Sequence, residues 1–316
     1  MTEVASLGSV NVDRIRYRPT DRITELETTH SWFPTAGETV RIDGTPATLE
    51  FETAADESAV GGKGANQAVA AARASADVAL FGCVGVDEDA NGICETLADR
   101  GVDVDDVAVT DRETGKAYVF VDEMGESWIA IVGGANETLD RAYIDANYDR
   151  LQAVDVLLLQ NEIPVPTMTF LLERFEADES RPTVVFNAAP AAGAESLLER
   201  EAVDYVVVND AEYRLLEDTL AGVDGTVVRT RGGDDVILTG DVSYRATPPV
   251  ADPIDTTGAG DAFCGYFAAA LADGETPERA VDIAAAAGSV ATEREGVQRA
   301  IPANADVLEA LEGNDR

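Results

Sequence analysis

The segment Asp255-Thr256-Thr257-Gly258-Ala259-Gly260-Asp261 places a carboxylate and several small residues where a helical pattern begins. Small residues let backbone N–H groups approach a ligand closely, and a helix N-terminus offers unpaired donors with a partial positive charge. The segment therefore predicts a binding site for phosphate oxygens. An acid beside a bound phosphate can accept the proton of an attacking hydroxyl group, so Asp261 is the candidate general base.

A second glycine turn, Gly61-Gly62-Lys63-Gly64-Ala65-Asn66-Gln67, opens another helical pattern about 190 residues earlier. For an isolated Gly-Asp turn, helix capping is an equally good explanation of the acid. Lys63 favours a function for the second turn. Only two of the 23 basic residues are lysines, and an ammonium group is not interchangeable with a guanidinium group.

Apolar runs of strand length alternate with helical patterns. They are VASLGSV (4–10), ADVALFGCVG (76–85), VDVLLLQ (154–160), PTVVFN (182–187), VDYVVVN (203–209) and GTVVRT (225–230). This alternation predicts an α/β fold, a mostly parallel sheet with helices on both faces. The final third is more helical, at 261–274, about 277–293 and about 304–312.

Two strand-like regions that are more polar than these runs interrupt the pattern. The first covers about 13–60, and the second, 116–132, alternates around a turn and predicts a β-hairpin. Together they predict a small β-sheet lid. We interpret residues 1–316 as a single domain with lid segments at about 13–60 and 114–132.

The chain is strongly acidic, with 60 acidic residues against 23 basic ones and a net charge of −37. Such a surface repels nucleic acid and anionic membranes, so neither is an expected partner. The acids are spread along the chain, and the hydrophobic fraction is 45%, which argues against disorder. A salt-adapted organism explains the charge, and we expect a cytoplasmic protein because no targeting or membrane-spanning segment is recognisable.

Taken together, GGKGANQA at 61–68 and DTTGAGDAF at 255–263 resemble the paired signatures of the PfkB carbohydrate kinases, and GGKGAN is typical of the ribokinase branch. The similarity extends from GSVNVD at 8–13 to EGVQRAIP at 295–302. It implies a three-layer, Rossmann-like (ribokinase-like) fold with a small lid. It also implies transfer of the γ-phosphoryl group of ATP to a primary hydroxyl, O5 of ribose by preference.

The resemblance assigns roles to matching residues. The backbone of Gly258, Ala259, Gly260 and Asp261 would stabilise the developing charge. Sugar contacts would come from Asn11, Asp13, Gly62, Lys63, Asn66, Glu162 and Asp261. ATP and its Mg²⁺ would meet Asn187, Asn209, Glu212, Thr230, Gly232 and Gly260. A monovalent cation, K⁺, would be held by Asp255 and by the carbonyls of Thr257, Ala291, Arg294 and Gly296.

The segment from Asp13 to Gly61 is longer than is typical of the family, around 20–30 and 45–57, and it is rich in arginine. Arg14, Arg16 and Arg18 would share one strand face. They could lie on an exposed lid strand or in a lid-to-lid homodimer. Alternatively, they could, with Lys116, bind a phosphate on the acceptor, such as ribose 1-phosphate. Arg22 and Arg41 lie in the same segment.

Other acceptors stay open at this point, namely a nucleoside, fructose or keto-deoxy gluconate. A non-catalytic sugar or nucleotide sensor on the same fold is an alternative of another class. The retained carboxylate at Asp261 argues against a sensor, which needs no base. The sequence has no GxxxxGK[ST] pattern, and no GxGxxG follows the first strand, which disfavours a P-loop kinase and a Rossmann dehydrogenase.

Overall fold

The structure is a computed structural model that describes residues 3–36, 39–44, 51, 54–87 and 92–314. Its strands, in chain order, are β1 Val4–Leu7, β2 Asn11–Tyr17, β3 Thr39–Arg41, β4 Glu57–Gly61, β5 Val78–Val84, β6 Val102–Asp103, β7 Val107–Val109, β8 Gly115–Val121, β9 Ser127–Val132, β10 Val156–Gln160, β11 Thr183–Asn187, β12 Tyr205–Asn209, β13 Thr226–Arg231, β14 Asp234–Thr239 and β15 Tyr244–Ala246.

The helices alternate with these strands. In chain order they are α1 Thr20–Thr29, α2 Lys63–Arg73, α3 Ile93–Ala98, α4 Arg141–Gln152, α5 Val165–Glu176, α6 Glu195–Leu198, α7 Asp210–Leu220, α8 Ala259–Ala272, α9 Pro277–Ala291, α10 Val297–Ala300 and α11 Asn304–Asn314, with a 3₁₀ turn at Gly134–Thr138.

The large sheet has the strand order β15-β14-β13-β12-β11-β10-β1-β5-β6, and β7 pairs with β5. The strands from β13 to β6 run parallel to one another, whereas β14 and β15 are antiparallel to their neighbours. All six apolar runs contain a strand of this sheet, which confirms the predicted α/β fold. The runs were recognisable because central parallel strands are apolar on both faces.

Helices cover both faces of the large sheet. One apolar core lies beneath α2, α8, α9 and α11, and the other lies beneath α4, α5, α6 and α7. The first core is rich in alanine, from Ala65 to Ala71 in α2 and from Ala284 to Ala287 in α9. Small side chains let these helices pack closely. The N-termini of α2 and α8 meet, since Asn66 and Gln67 both bond to Asp261.

The small sheet has the strand order β3-β9-β8-β2-β4. Strands β8 and β9 form the predicted antiparallel hairpin, with Lys116 paired with Val132 and Val121 with Ser127. One face carries a separate apolar cluster that includes Ile23, Phe120 and Trp128.

The prediction of strands throughout 13–60 was wrong in part, because residues 20–29 form helix α1. Only Ile23 and Leu26 of this helix are buried, so its apolar signal is weak. The predicted extension at 45–57 lies partly outside the described residues, which there are 51 and 54–57.

Within the described part of the chain, the structure contains no helix that is both long and apolar enough to cross a membrane.

Candidate functional site

The predicted site residues collect at the carboxyl-terminal edge of the large sheet. Glu162 follows β10, Asn187 ends β11, Asn209 ends β12, and Thr230 lies beside Asn209 in β13. These strands are neighbours in the order β13-β12-β11-β10-β1. In open α/β sheets this edge is where ligands bind.

Glu162 connects the glycine turn at residues 61–67 to the large sheet. Its Oε2 accepts a hydrogen bond from the Lys63 backbone N–H at 3.2 Å and another from the Ser9 hydroxyl. Helix α2 has no side-chain cap of its own at Gly62. Glu162, which lies outside the helix, accepts a hydrogen bond from its first N–H group instead. This bonding fixes the Glu162 carboxylate beside Lys63, at the mouth of the site.

Asn11 is held by a residue that the sequence did not indicate. The Nδ2 of Asn136 donates to Asn11 Oδ1 at 2.8 Å, and Asn136 also exchanges hydrogen bonds with the Val10 backbone. Asn11 and Asn136 are both almost fully buried, at 2% and 1% exposed. The Asn11 side chain is therefore fixed in orientation before any ligand arrives.

Asp261 lies in the first turn of α8, is 5% exposed, and is held by two amides of α2. Asn66 Nδ2 donates to its Oδ2 at 2.9 Å, and Gln67 Nε2 donates to its Oδ1 at 3.0 Å. The same Gln67 nitrogen donates to Asn187 Oδ1 at 3.2 Å. Both oxygens of the candidate base thus have a donor, and a carboxylate oxygen can still accept a second hydrogen bond.

Close helix packing makes these bonds possible. A side chain at Gly265, one turn beyond Asp261, would collide with the Ala70 side chain and the Gln67 carbonyl of α2. Glycine at 265 lets α8 approach α2 closely enough for Asp261 to reach Asn66 and Gln67.

The pKa shifts reflect a cluster of charges that are buried, as in Glu162 and Asp261, or half-buried, as in Asp13. Burial and the carboxylates of Glu162 and Asp261 raise the pKa of Asp13 to about 7, although Lys63 opposes the shift. Burial lowers the pKa of Lys63, but Asp261 and Glu162 outweigh it, so the net shift is upward. Burial also raises the pKa of Glu212. The site therefore favours a ligand that donates hydrogen bonds without adding negative charge.

The N-terminus of α8 is open to a ligand. Its cap residue, Gly258, has φ 80° and supplies no side-chain hydrogen bond. A Cβ built on Gly260 would meet no heavy atom within 4 Å. By contrast, α4 and α9 are capped by the side chains of Asp140 and Thr276. The first turn of α8 keeps the donors and the space that an anion needs.

Asp255 joins the two loops predicted to hold the monovalent cation. Its Oδ1 accepts from the Thr257 N–H at 2.9 Å, and its Oδ2 accepts from the Gly296 N–H at 3.0 Å. The carbonyls assigned to the cation lie on these loops or at the adjacent end of α9. An oxygen-rich junction suits a hard cation, and its occupation by K⁺ stays a prediction.

On the predicted nucleotide side, Asn209 and Glu212 form a capping box. Asn209 Oδ1 accepts from the Glu212 N–H, and Glu212 Oε2 accepts from the Asn209 N–H, at 2.9 and 2.8 Å. This bonding explains the pair as a helix cap, and the role of Glu212 towards Mg²⁺ stays a prediction. Gly232 lies in the exposed turn between β13 and β14, close in sequence to Thr230.

The arginines of β2 do not face the predicted sugar contacts. Side chains alternate along a strand, so Arg14 and Arg16 lie on the face opposite to Asp13. Arg16 is 1% exposed. Its guanidinium lies over the rings of Tyr118 and Phe120. The hypothesis that Arg14 and Arg16 hold a substrate phosphate is therefore wrong for these residues.

Arg18 and Lys116 have acidic partners nearby. Arg18 forms an ion pair with Asp56 at 2.8 Å, and Lys116 pairs with Glu113.

Arg41 differs from the β2 arginines, because it shares a face of the small sheet with Asp13. The two positions are connected through the register partners Ile131 and Ala117. Arg41 is exposed.

Sequence reasoning missed the buried amides. Gln67 and Gln298 lie inside the quoted motifs GGKGANQA and EGVQRAIP, but no role was assigned to either. Gln160 Nε2 donates to Gln67 Oε1 at 2.8 Å, and Gln298 Nε2 donates to Asn66 Oδ1 at 2.8 Å. Their only signal in the sequence is their position beside motif residues.

The chain is similar to known proteins over most of its length. The model of the pfkB family carbohydrate kinases matches residues 34–304. The chain is 34% identical to the ribokinase of Bacillus subtilis, covering 98% of this chain and 100% of that one. It is 33% identical to an ATP-dependent ribose-1-phosphate kinase of Halopiger xanaduensis, covering 84% and 92%. The crystal structure of Thermotoga maritima ribokinase superimposes with a TM-score of 0.77 at 29% identity, over 99% and 100% of the two chains.

Proposed function

Since the chain belongs to the pfkB family of carbohydrate kinases and is an ATP-dependent sugar kinase of the ribokinase type, we propose that its acceptor is ribose, phosphorylated at O5. The observation that carries this proposal is the position of Asp261. Its buried carboxylate lies in the first turn of a helix whose N-terminus is free for a phosphate.

In this proposal Asp261 accepts the proton of the acceptor hydroxyl as that oxygen attacks the γ-phosphorus of ATP. The bond between the γ-phosphorus and the bridging oxygen breaks, and ADP leaves. The backbone N–H groups from Gly258 to Asp261 stabilise the charge that develops on the transferred group. Asn66 and Gln67 hold the base in place through the hydrogen bonds described above.

The other acceptor hydroxyls would bond to Asn11, Asp13, Lys63 and Glu162. Asn11 and Glu162 are fixed by Asn136 and by Ser9 with the Lys63 N–H, respectively. Hydroxyl groups donate to carboxylates without adding charge, which suits the raised pKa of Asp13. A buried polar group left unpaired costs about 1–3 kcal/mol, so this arrangement favours a polyhydroxy acceptor.

Asn187, Asn209, Glu212, Thr230 and Gly232 would lie on the nucleotide side. Glu212 and Asn187 would help to hold Mg²⁺, which when bound would neutralise the phosphate charges in phosphoryl transfer. K⁺ at the loop carbonyls beside Asp255 would hold the first turn of α8 in its working geometry. A homodimer through the small sheet and a cytoplasmic location stay predictions.

Ribose 1-phosphate is a second candidate acceptor. Two observations favour it, namely the 33% identity to a ribose-1-phosphate kinase and the position of Arg41 on the same face as Asp13. Three strand spacings of about 4.8 Å separate the two residues, roughly 14 Å. A phosphorylated pentose and an arginine side chain together can bridge such a distance. The acceptor would then place its phosphate at Arg41 and its O5 at Asp261.

Turnover of a panel of acceptors by the purified protein, with Mg-ATP in high KCl, tests these alternatives. The panel contains ribose, ribose 1-phosphate, a nucleoside, fructose and keto-deoxy gluconate. We expect ribose to give the highest kcat/KM. If ribose 1-phosphate is preferred instead, Arg41→Gln should remove that preference. The control Arg279→Gln, at the distant end of α9, should not. Binding of a sugar without any turnover would contradict both candidates and favour a sensor.

A further inference from the structure

Asp261 is connected to the guanidinium of Arg100 by three consecutive hydrogen bonds. Arg100 Nη1 donates to Gln298 Oε1, Gln298 Nε2 donates to Asn66 Oδ1 at 2.8 Å, and Asn66 Nδ2 donates to Asp261 Oδ2 at 2.9 Å. Gln298 and Asn66 are 4% and 5% exposed. The chain of bonds leaves α8, crosses α2 and α10, and ends just beyond α3.

The direction of every bond follows from the chemistry of its two ends. Arginine has five N–H donors and no acceptor, so only the oxygen of Gln298 can face Arg100. The Gln298 amide nitrogen must then face Asn66, and Asn66 must accept with its oxygen. That leaves the Asn66 amide nitrogen for Asp261, which, when ionised, can only accept.

We propose that Gln298 is a positioning residue for phosphoryl transfer. We call the hydrogen bonds from Arg100 through Gln298 and Asn66 to Asp261 the relay. In the relay, Gln298 keeps its oxygen towards Arg100 and its nitrogen towards Asn66, so Asn66 always presents a donor to Asp261. The proposal rests on the role of Asp261 as the base. Without this relay, the side-chain amide of Asn66 could rotate by about 180° and present its oxygen to the Asp261 carboxylate. Repulsion would then displace the base from the acceptor hydroxyl.

Burial adds a reason for the relay. An amide in water can rotate at little cost, because water satisfies either orientation. Asn66 and Gln298 are shielded from solvent, and a buried donor or acceptor without a partner is costly. If one amide of the relay is rotated, the next amide loses its hydrogen-bond partner. The orientations of Gln298 and Asn66 are therefore coupled to each other.

Gln298→Glu is the most direct test, because it changes the polarity of the relay and hardly its shape. A glutamate still accepts from Arg100 but has no donor for Asn66 Oδ1, so Asn66 should turn its nitrogen towards residue 298. A hydrogen bond to a charged group is at stake, and we expect kcat/KM for the acceptor to fall about 10- to 100-fold. The KM for ATP should stay within about twofold. Gln298→Met, which removes both polar contacts, should lie between Gln298→Glu and the unchanged protein.

The pH profile separates positioning from packing. Loss of a donor disfavours the ionised carboxylate, so the acid limb of the kcat profile should move to higher pH in Gln298→Met, which adds no charge near Asp261. The other titratable groups near Asp261 are Lys63, Asp13, Glu212 and Cys264. None of them is altered in the variant. A purely structural role would lower Tm and leave the profile in place.

Four further variants complete the experiment. Gln152→Glu, whose side chain contacts Asp178 and Ser180 far from the site, controls for a Gln-to-Glu exchange and should keep wild-type kinetics. If Gln298→Glu does not fold, Arg100→Met should reduce kcat/KM, whereas Arg100→Lys should retain it because lysine is also only a donor. Asp261→Asn is assayed in parallel. If it keeps high turnover, the proposed base is wrong. If it loses turnover while Gln298→Glu or Arg100→Met behaves like the unchanged protein, the relay is wrong.

Discussion

At the scale of single residues, Asp13 holds a charge that its surroundings oppose. Its pKa rises from 3.8 to about 7 through burial and the nearby carboxylates. Between these two values the folded protein binds a proton that the unfolded chain does not. The contribution of Asp13 to the free energy of unfolding therefore falls as the pH rises from about 4 to about 7, and it is constant above about pH 7. Asp13 is kept at a cost in stability, which is typical of a functional carboxylate.

Asp13→Asn should therefore stabilise the protein and impair acceptor binding. We expect a gain of about 1–2 kcal/mol in the free energy of unfolding at pH 8, less than the full shift implies because Asp13 is partly solvated. Melting curves at pH 5, 6, 7 and 8 in constant KCl would show the gain increasing up to about pH 7. A variant that is less stable than the unchanged protein at pH 8 would contradict this account of Asp13.

The site residues were predicted with unequal success. Asp261, Lys63, Asn66 and Glu162 stand in glycine-rich or strand-end motifs, and the structure brings them together. Buried amides such as Gln298 carry no such signal, since a glutamine in a short helix has many ordinary explanations. The arginines of β2 share a strand face as alternation predicts, but the sequence could not tell which face meets the site.

At the scale of elements, the first turn of α8 combines a helix N-terminus that no side chain caps with empty space at Gly260. A methyl group fits there without contacting the protein, and alanine favours a helix over glycine by roughly 0.5–1 kcal/mol. The two effects of a substitution can therefore be separated, because only a ligand would collide with the new group.

Gly260→Ala should keep or slightly raise Tm and lower kcat/KM for ATP at least tenfold, because the added methyl group occupies space proposed for phosphate. Gly313→Ala in α11 is the matched control, since its Cβ also meets no heavy atom within 4 Å. Steady-state kinetics and melting curves of both variants provide the measurement. Wild-type kinetics in Gly260→Ala would show that phosphate does not bind at this turn.

Elements differed in how well the sequence predicted them. The parallel strands were found because both of their faces are apolar. Helix α1 was missed because it packs on the small sheet mainly through Ile23 and Leu26, so polar residues dominate its pattern. Asn209 and Glu212 form a capping box in this structure, and that spacing alone does not separate a helix cap from the proposed contact with Mg²⁺.

At the scale of the whole molecule, the net charge of −37 opposes the compact state through self-repulsion. The screening length falls from about 10 Å at 0.1 M salt to about 3 Å at 1 M. Most ion pairs of the structure are at the surface, such as Arg22 with Glu25 and Arg245 with Asp235. Each stabilises little, so they do not compensate for the excess of acids.

We therefore expect Tm to rise by roughly 5–10 °C between 0.1 and 2 M KCl, equivalent to a few kcal/mol for a chain of this size. Scanning fluorimetry in KCl, NaCl and choline chloride at equal ionic strength separates two effects. Screening is common to all three salts, and a specific advantage of KCl in activity would indicate the cation site beside Asp255. A Tm that does not depend on salt would contradict the interpretation of the charge.

The central claim is that Asp261 is the base for phosphoryl transfer to a sugar hydroxyl. Its most direct test is the turnover of ribose by Asp261→Asn with saturating Mg-ATP in high KCl, beside a measurement of ADP binding. We predict that kcat falls about 10²- to 10⁴-fold, while ADP binding changes by no more than about threefold. A variant that binds ADP normally and keeps kcat within tenfold of the unchanged protein would contradict the claim.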